Sequence, residues 1–138
     1  MPVKKRILIA AADHDLITRL AFYFEDNGYE TTAAWGGREA IEQLRSSQFD
    51  TVLLGEYLPE VDPKEIWQTF RQLSHKPRIV LLEAAQPDPE MAAMYSEAGG
   101  NCIVRGNSAY LIFEAAHECL KREDARLHEG TASATGRP

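Results

Sequence analysis

Positive charge is in short supply: 15 Lys and Arg stand against 21 Asp and Glu, for a formal net charge of -6. A surface of that sign repels phosphate backbones, so nucleic acid is excluded as a partner of this chain by itself. Long apolar runs are missing too. No stretch approaches the roughly 20 residues that cross a bilayer, so no membrane contact is expected. The opening MPVKKRILIA places basic residues before an apolar run, but Asp13 cuts that run well short of the roughly 7–15 residues of a secretory signal core. A cytoplasmic location follows as the expectation. Cysteine is scarce, with Cys102 and Cys119 the two in the chain. They show neither C-x-x-C spacing nor a metal-ligand pattern, and read as buried, reduced thiols. The phosphate-cradling patterns GxGxxG and GxxxxGK[ST] are absent, so no nucleotide is signalled. His14, His75, His117 and His128 share no metal spacing and read as surface residues. No Ser/His/Asp arrangement is legible. These absences point away from an enzyme, a cofactor and a metal.

What is present is a chain of 138 residues, the size of one domain. Residues 1–124 are expected to form it, with 125–138 a flexible tail that is small and polar toward its end. Ile7 to Ala10, Tyr29 to Ala34, Phe49 to Leu54, Ile79 to Leu82 and Cys102 to Val104 read as strands. Between them lie helical patterns. Leu16, Leu20, Tyr23 and Phe24 mark one inner face, and Asn27-Gly28 stops that helix. Ala40, Ile41 and Leu44 mark the next. Asp62-Pro63 reads as N-cap and first helical residue of a third, with Ile66, Phe70 and Leu73 inward and Trp67 extending the face. Glu90 to Ala98 carries Met91, Met94 and Tyr95. A last helix from Ala109 to about Arg122, capped by Asn107 or Ser108, turns Ile112, Phe113, Ala116, Cys119 and Leu120 inward. Gly36-Gly37 and Gly99-Gly100 read as turns. Short, continuous Ile/Leu/Val strands alternating with helices imply a parallel sheet covered on both faces.

The stretch TVLLGEYLPEVDP, Thr51 to Pro63, sits where such a fold concentrates function, at the carboxyl end of a central strand. With RILIAAADHDLITRL, NGYETTAAWGGREAIEQL, PRIVLLEA and EAGGNCIVRG it resembles, in order and spacing over about residues 5 to 122, the receiver domain of two-component response regulators, chemotaxis-protein type. The resemblance implies a flavodoxin-like, doubly wound, five-stranded parallel α/β sheet of order 2-1-3-4-5 with five helices. It implies a site as well. The acidic pair that holds Mg²⁺ falls on Ala11 and Ala12, and the phosphoacceptor aspartate on Gly55. The switch Thr or Ser falls on Leu82, the lysine and following proline on Arg105 and Gly106, and the reporting aromatic on Cys102.

Each of these positions departs from the family pattern. Mg²⁺ needs oxygen ligands that two alanines and a glycine do not supply. Phosphorylation needs a nucleophile, and glycine has no side chain. Leu82 cannot donate a hydrogen bond, and arginine does not replace lysine neutrally. The expected function is a non-phosphorylatable receiver-like module acting by protein–protein contact in a phosphorelay pathway. The alternative is a phospho-responsive regulator using a displaced acid, Asp13 or Glu56; Glu83 stands in a similar place. A third class is a small-ligand sensor using a pocket emptied beneath Gly55, Leu82 and Ala11. The resemblance puts the partner face on the fourth helix, fifth strand and fifth helix. Met91, Met94, Tyr95, Tyr110 and Leu111 lie there, facing a signalling protein or a second copy of the chain.

Overall fold

A computed structural model describes residues 4–55, 58–82, 89–97, 100, 102–106 and 108–129; the side chains of 91, 92 and 123–129 lie outside the description. The strands are β1 (Arg6–Ala10), β2 (Glu30–Ala34), β3 (Thr51–Gly55), β4 (Arg78–Leu82) and β5 (Cys102–Val104). The helices are α1 (His14–Asp26), α2 (Gly37–Ser46), α3 (Pro63–Gln72), α4 (Pro89–Glu97) and α5 (Ala109–Glu129). The strands pair in parallel in the order β2-β1-β3-β4-β5, as the resemblance implies.

Alternation along each strand divides the core in two. Leu8, Ala10, Val52, Leu54, Ile79 and Leu81 face α2, α3 and Tyr95 of α4. Ile7, Ile9, Leu53, Val80 and Leu82 face α1 and α5. Both faces are covered, which is why the strands read as unbroken apolar runs rather than as alternating ones.

The helix ends follow local chemistry. The Asp62 carboxylate accepts from the Lys64 N–H at 2.9 Å, with Pro63 opening α3 behind it. Gly28 sits at φ +92° after α1, in the left-handed region that its lack of a Cβ permits. Ser108 caps α5, its hydroxyl accepting from the Leu111 N–H at 3.3 Å; Asn107, the other candidate, lies outside the described residues.

Several expectations are corrected. In α1 the buried residue of the first turn is Ile17; Leu16 is half-buried. Leu16 and Tyr23 still pack against the same cluster, so Ile17 adds to the expected face rather than shifting it. Phe49 precedes β3 rather than opening it, and is buried beneath the Arg6 guanidinium, 5.0 Å from the ring centroid. Helix α5 continues past Arg122, its expected end, to Glu129; residues 130–138 lie outside the described ones. Cys102 and Cys119 are not reduced thiols but form a disulfide, with Cα atoms 6.7 Å apart, inside the usual range for a bridge. The packing of α5 on β5 brings them together, and no spacing rule in the sequence signals it.

Candidate functional site

The carboxyl ends of β1, β3, β4 and β5 line up side by side. Gly55 pairs with Leu82, and Leu82 with Val104. Ala10 pairs with Leu54 on the other flank, so Ala11 leaves β1 directly beside Gly55. The topology therefore brings Ala11, Gly55, Leu82 and Arg105 to one edge of the sheet.

The space at that edge is filled rather than emptied. A Cβ placed on Gly55 would stand 3.2 Å from both Cα and Cβ of Ala11 and 3.4 Å from the Ala10 carbonyl oxygen. Ala11 is buried, and Leu82 packs into the α1/α5 side of the core. The pocket expected under Gly55, Leu82 and Ala11 is thus occupied by Ala11 itself. What lies open is a small space of about 10 Å³ on the other side, lined by Gly55, Leu58, Val61, Ile66 and Trp67 among others. It has room for about one water molecule. The buried Trp67 Nε1, in a residue lining that space, has no hydrogen-bond partner among the described residues.

The loop after β3 is anchored on α2. The Gly37 N–H donates to the Pro59 carbonyl at 2.9 Å. A Cβ on Gly37 would collide with Val61 Cγ2 at 2.0 Å, so Gly36-Gly37 is a docking surface for this loop as well as a turn. Glu60, held at φ +82°, presents its carboxylate to the Arg38 N–H at 3.4 Å, at the positive end of the α2 dipole.

Ala12 and Arg105 are exposed. Asp13, the described member of the displaced-acid pair, is exposed and engaged as the α1 N-cap, its Oδ1 accepting from the Leu16 N–H at 3.1 Å. Glu56 and Glu83 lie outside the described residues. Among the described residues no group of three His, Cys, Asp or Glu is placed to hold a metal ion.

The expected partner face is brought together only in part. Tyr110 and Leu111 are exposed, at 49% and 51%, and Ile103 of the edge strand joins them at 45%. Met94 is half-buried against the core, and the Met91 side chain lies outside the description. Tyr95 does not belong to the face. It is buried, its hydroxyl donating to the Ile79 carbonyl at 3.0 Å and accepting from the Cys102 N–H. Its spacing from Trp67 is tertiary, with ring centroids 6.1 Å apart, so the helical pattern alone could not distinguish this inward face.

Sequence reasoning also missed an aromatic group between α1 and α5. His117 stacks on Phe113 at 5.1 Å and meets Tyr29 edge-on at 5.6 Å; it is half-buried rather than a surface histidine. Burial, with a smaller contribution from Lys121 opposed by Glu118, holds its imidazole below the ordinary pKa. Tyr110 is raised from its ordinary value by a hydrogen bond to Glu114 and by that carboxylate's charge.

Comparison with known proteins adds three kinds of likeness. The family model described as the response regulator receiver domain matches residues 7–107. A curated relative, a putative transcriptional regulator of Haloferax volcanii, is 25% identical over 116 residues, covering 84% of this chain and 19% of its own length. The alkaline phosphatase synthesis transcriptional regulatory protein PhoP of Bacillus subtilis is 28% identical over 82 residues, covering 59% of this chain and 34% of its own length. The chain therefore spans between a fifth and about a third of these relatives. Among solved structures, a CheY-like response regulator receiver domain protein of Methanospirillum hungatei superposes with a TM-score of 0.77 at 19% identity, covering 93% of this chain and 100% of that one.

Proposed function

The chain belongs to the response regulator receiver domain family, and from that premise we propose that it is a receiver without phosphoryl chemistry, signalling through protein contact. One observation carries the reading. The place from which an acceptor side chain would project is crowded by the end of β1, with Ala11 Cα and Cβ 3.2 Å from where a Cβ on residue 55 would stand. A family member that accepts a phosphoryl group needs a nucleophile there and oxygen ligands for Mg²⁺ beside it. Here the three positions are Gly55, Ala11 and Ala12. Three clustered carboxylates repel one another, so once phosphorylation is abandoned their apolar replacement favours the fold. Leu82 is consistent with that loss, since it packs into the core and offers no hydroxyl. Asp13, the displaced-acid candidate, is already committed to the α1 cap.

A receiver of this kind presents its surface constitutively or responds to a switch within its partner. The surface favoured for contact is the β5–α5 edge, with Ile103, Tyr110 and Leu111 exposed. Tyrosine at such a position supplies apolar area with a polar tip, the composition of interface anchors. Its counterpart is a signalling protein or a second copy of the chain.

Incubation with acetyl phosphate and Mg²⁺, followed by intact mass measurement, tests the chemistry. The expected spectrum shows no phosphoryl increment. An acid-stable, Mg²⁺-dependent increment mapped to Asp13 or Glu56 would establish the displaced-acid alternative instead. For the contact surface, Tyr110→Ala is expected to weaken association by about 2 kcal/mol, roughly thirtyfold in Kd, with the melting temperature little changed.

A further inference from the structure

Cys102 opens β5, and Cys119 lies on α5, 17 positions later, joined to it by a disulfide. The two partners differ in their surroundings. Cys102 is 8% exposed, within the cluster that includes Ile112, Phe113 and Ala116. Cys119 is half-buried at the rim of that cluster. The Arg122 guanidinium, one turn further on, stands at the Cys119 sulfur, with Nη2 3.5 Å from Sγ. A neighbouring guanidinium stabilises a thiolate and so makes a cysteine the reactive member of a pair. Cys102 stands at the opposite end of β5 from Arg105, so the pair is separate from the receiver edge and does not depend on what residue 55 accepts.

We propose that the Cys102–Cys119 pair is a thiol–disulfide exchange site, opened and closed by a small thiol/disulfide couple of the glutathione class, with Cys119 the sulfur that exchanges. In the opening direction an external thiolate attacks Cys119 Sγ. A new S–S bond forms, the Cys102–Cys119 bond breaks, and Cys102 Sγ leaves with the electron pair and takes up a proton. A second external thiolate attacks the small-molecule sulfur of this mixed disulfide and releases Cys119 as a thiolate beside Arg122. Two external thiols have been oxidised to one disulfide, the protein disulfide has been reduced, and two electrons have passed to the protein with one proton, on Cys102, the second proton going to solvent while Cys119 stays a thiolate. Closing is the reverse.

The bond ties α5 to β5, and a second tie extends it. The Tyr95 hydroxyl accepts from the Cys102 N–H and donates to the Ile79 carbonyl, linking the start of β5 to α4 and β4. The redox state of the pair is therefore read at the α4–β5–α5 edge.

The full chain, equilibrated in mixtures of reduced and oxidised glutathione, quenched in acid and alkylated under denaturing conditions, reports the state by mass. Molecules should carry no alkyl groups or two. Their ratio should rise with the square of reduced glutathione, about a hundredfold for a tenfold increase at fixed oxidised glutathione. Arg122→Gln should slow the approach to equilibrium severalfold while leaving the melting temperature of the reduced protein unchanged. Cys102→Ser should take up one glutathione at Cys119. A bond that stays closed in every mixture is a structural cross-link and overturns the proposal, as do two free thiols in every mixture. A Cys102→Ser chain that takes up no glutathione overturns the assignment of Cys119 as the exchanging sulfur.

Discussion

Aspartate at residue 55 would supply one of the carboxylates that the proposed reading finds missing, and the geometry says what it costs. The added Cβ would stand 3.2 Å from Ala11 Cα and Cβ, contacts tighter than nine in ten real Cβ contacts. The Ala11 Cα belongs to the backbone, so relief requires the end of β1 to shift by a few tenths of an ångström rather than a side chain to rotate. Overpacking of this kind costs about 1–3 kcal/mol. Loss of glycine's freedom in the unfolded chain offsets about 0.4–1 kcal/mol, because Gly55 lies in a strand and needs no left-handed backbone. Gly55→Ala should therefore lose about 1–2 kcal/mol, which for a domain of this size is roughly 4–8 °C in melting temperature. Gly55→Asp should melt lower still, since its carboxylate is half-desolvated and gains no Mg²⁺ from Ala11 and Ala12. Scanning calorimetry of both variants separates the steric cost from the charge. Ala11→Gly in the Gly55→Ala background should recover part of the loss, because it removes one of the two close carbons. A Gly55→Asp protein that melts at or above the wild type and is labelled by acetyl phosphate with Mg²⁺ would refute the argument for a crowded site without phosphoryl chemistry.

Replacing both Cys102 and Cys119 by serine removes a cross-link spanning 17 positions, worth about 3 kcal/mol by loop-closure entropy; calorimetry in the absence of reductant checks it. Tyr95→Phe leaves the Ile79 carbonyl and the Cys102 N–H without their shared partner in the core, for a loss of about 1–3 kcal/mol in urea unfolding at unchanged m-value. Burial depresses the His117 pKa in the fold, so the unfolded chain binds more protons between the folded value and about 6.5. Stability is therefore full above that window and declines as pH falls through it; His117→Gln should flatten the profile measured by thermal melts from pH 7.5 to pH 5.

Much of the architecture was legible because each signal was local. Asp62-Pro63 starts α3, Gly28 stops α1, and the runs Ile7 to Ala10 and Val52 to Leu54 are buried on both faces, as unbroken apolar strands require. The resemblance to receiver domains implied that Ala11, Gly55, Leu82 and Arg105 share one edge, and parallel pairing of β1, β3, β4 and β5 brings them there. Tyr95 was misread because α4 carries apolar residues on more than one side, and only the position of Trp67 and of the β4 and β5 backbones shows which side is inward. The inner face of α1 was read correctly at Leu20, Tyr23 and Phe24, but Ile17, buried beside the half-buried Leu16, was left out.

The sequence by itself determined five short apolar strands alternating with helices, and so a parallel sheet, because chain order and apolar run length are properties of the string; the order of the strands followed from the resemblance to receiver domains. Tertiary structure decided two matters that no spacing could. It set the end of β1 3.2 Å from where a Cβ on residue 55 would stand, and it brought Cys102 to Cys119 across the face where α5 packs on β5. Both are contacts between segments whose separation along the chain carries no period, so the physical cause lies in how the layers pack.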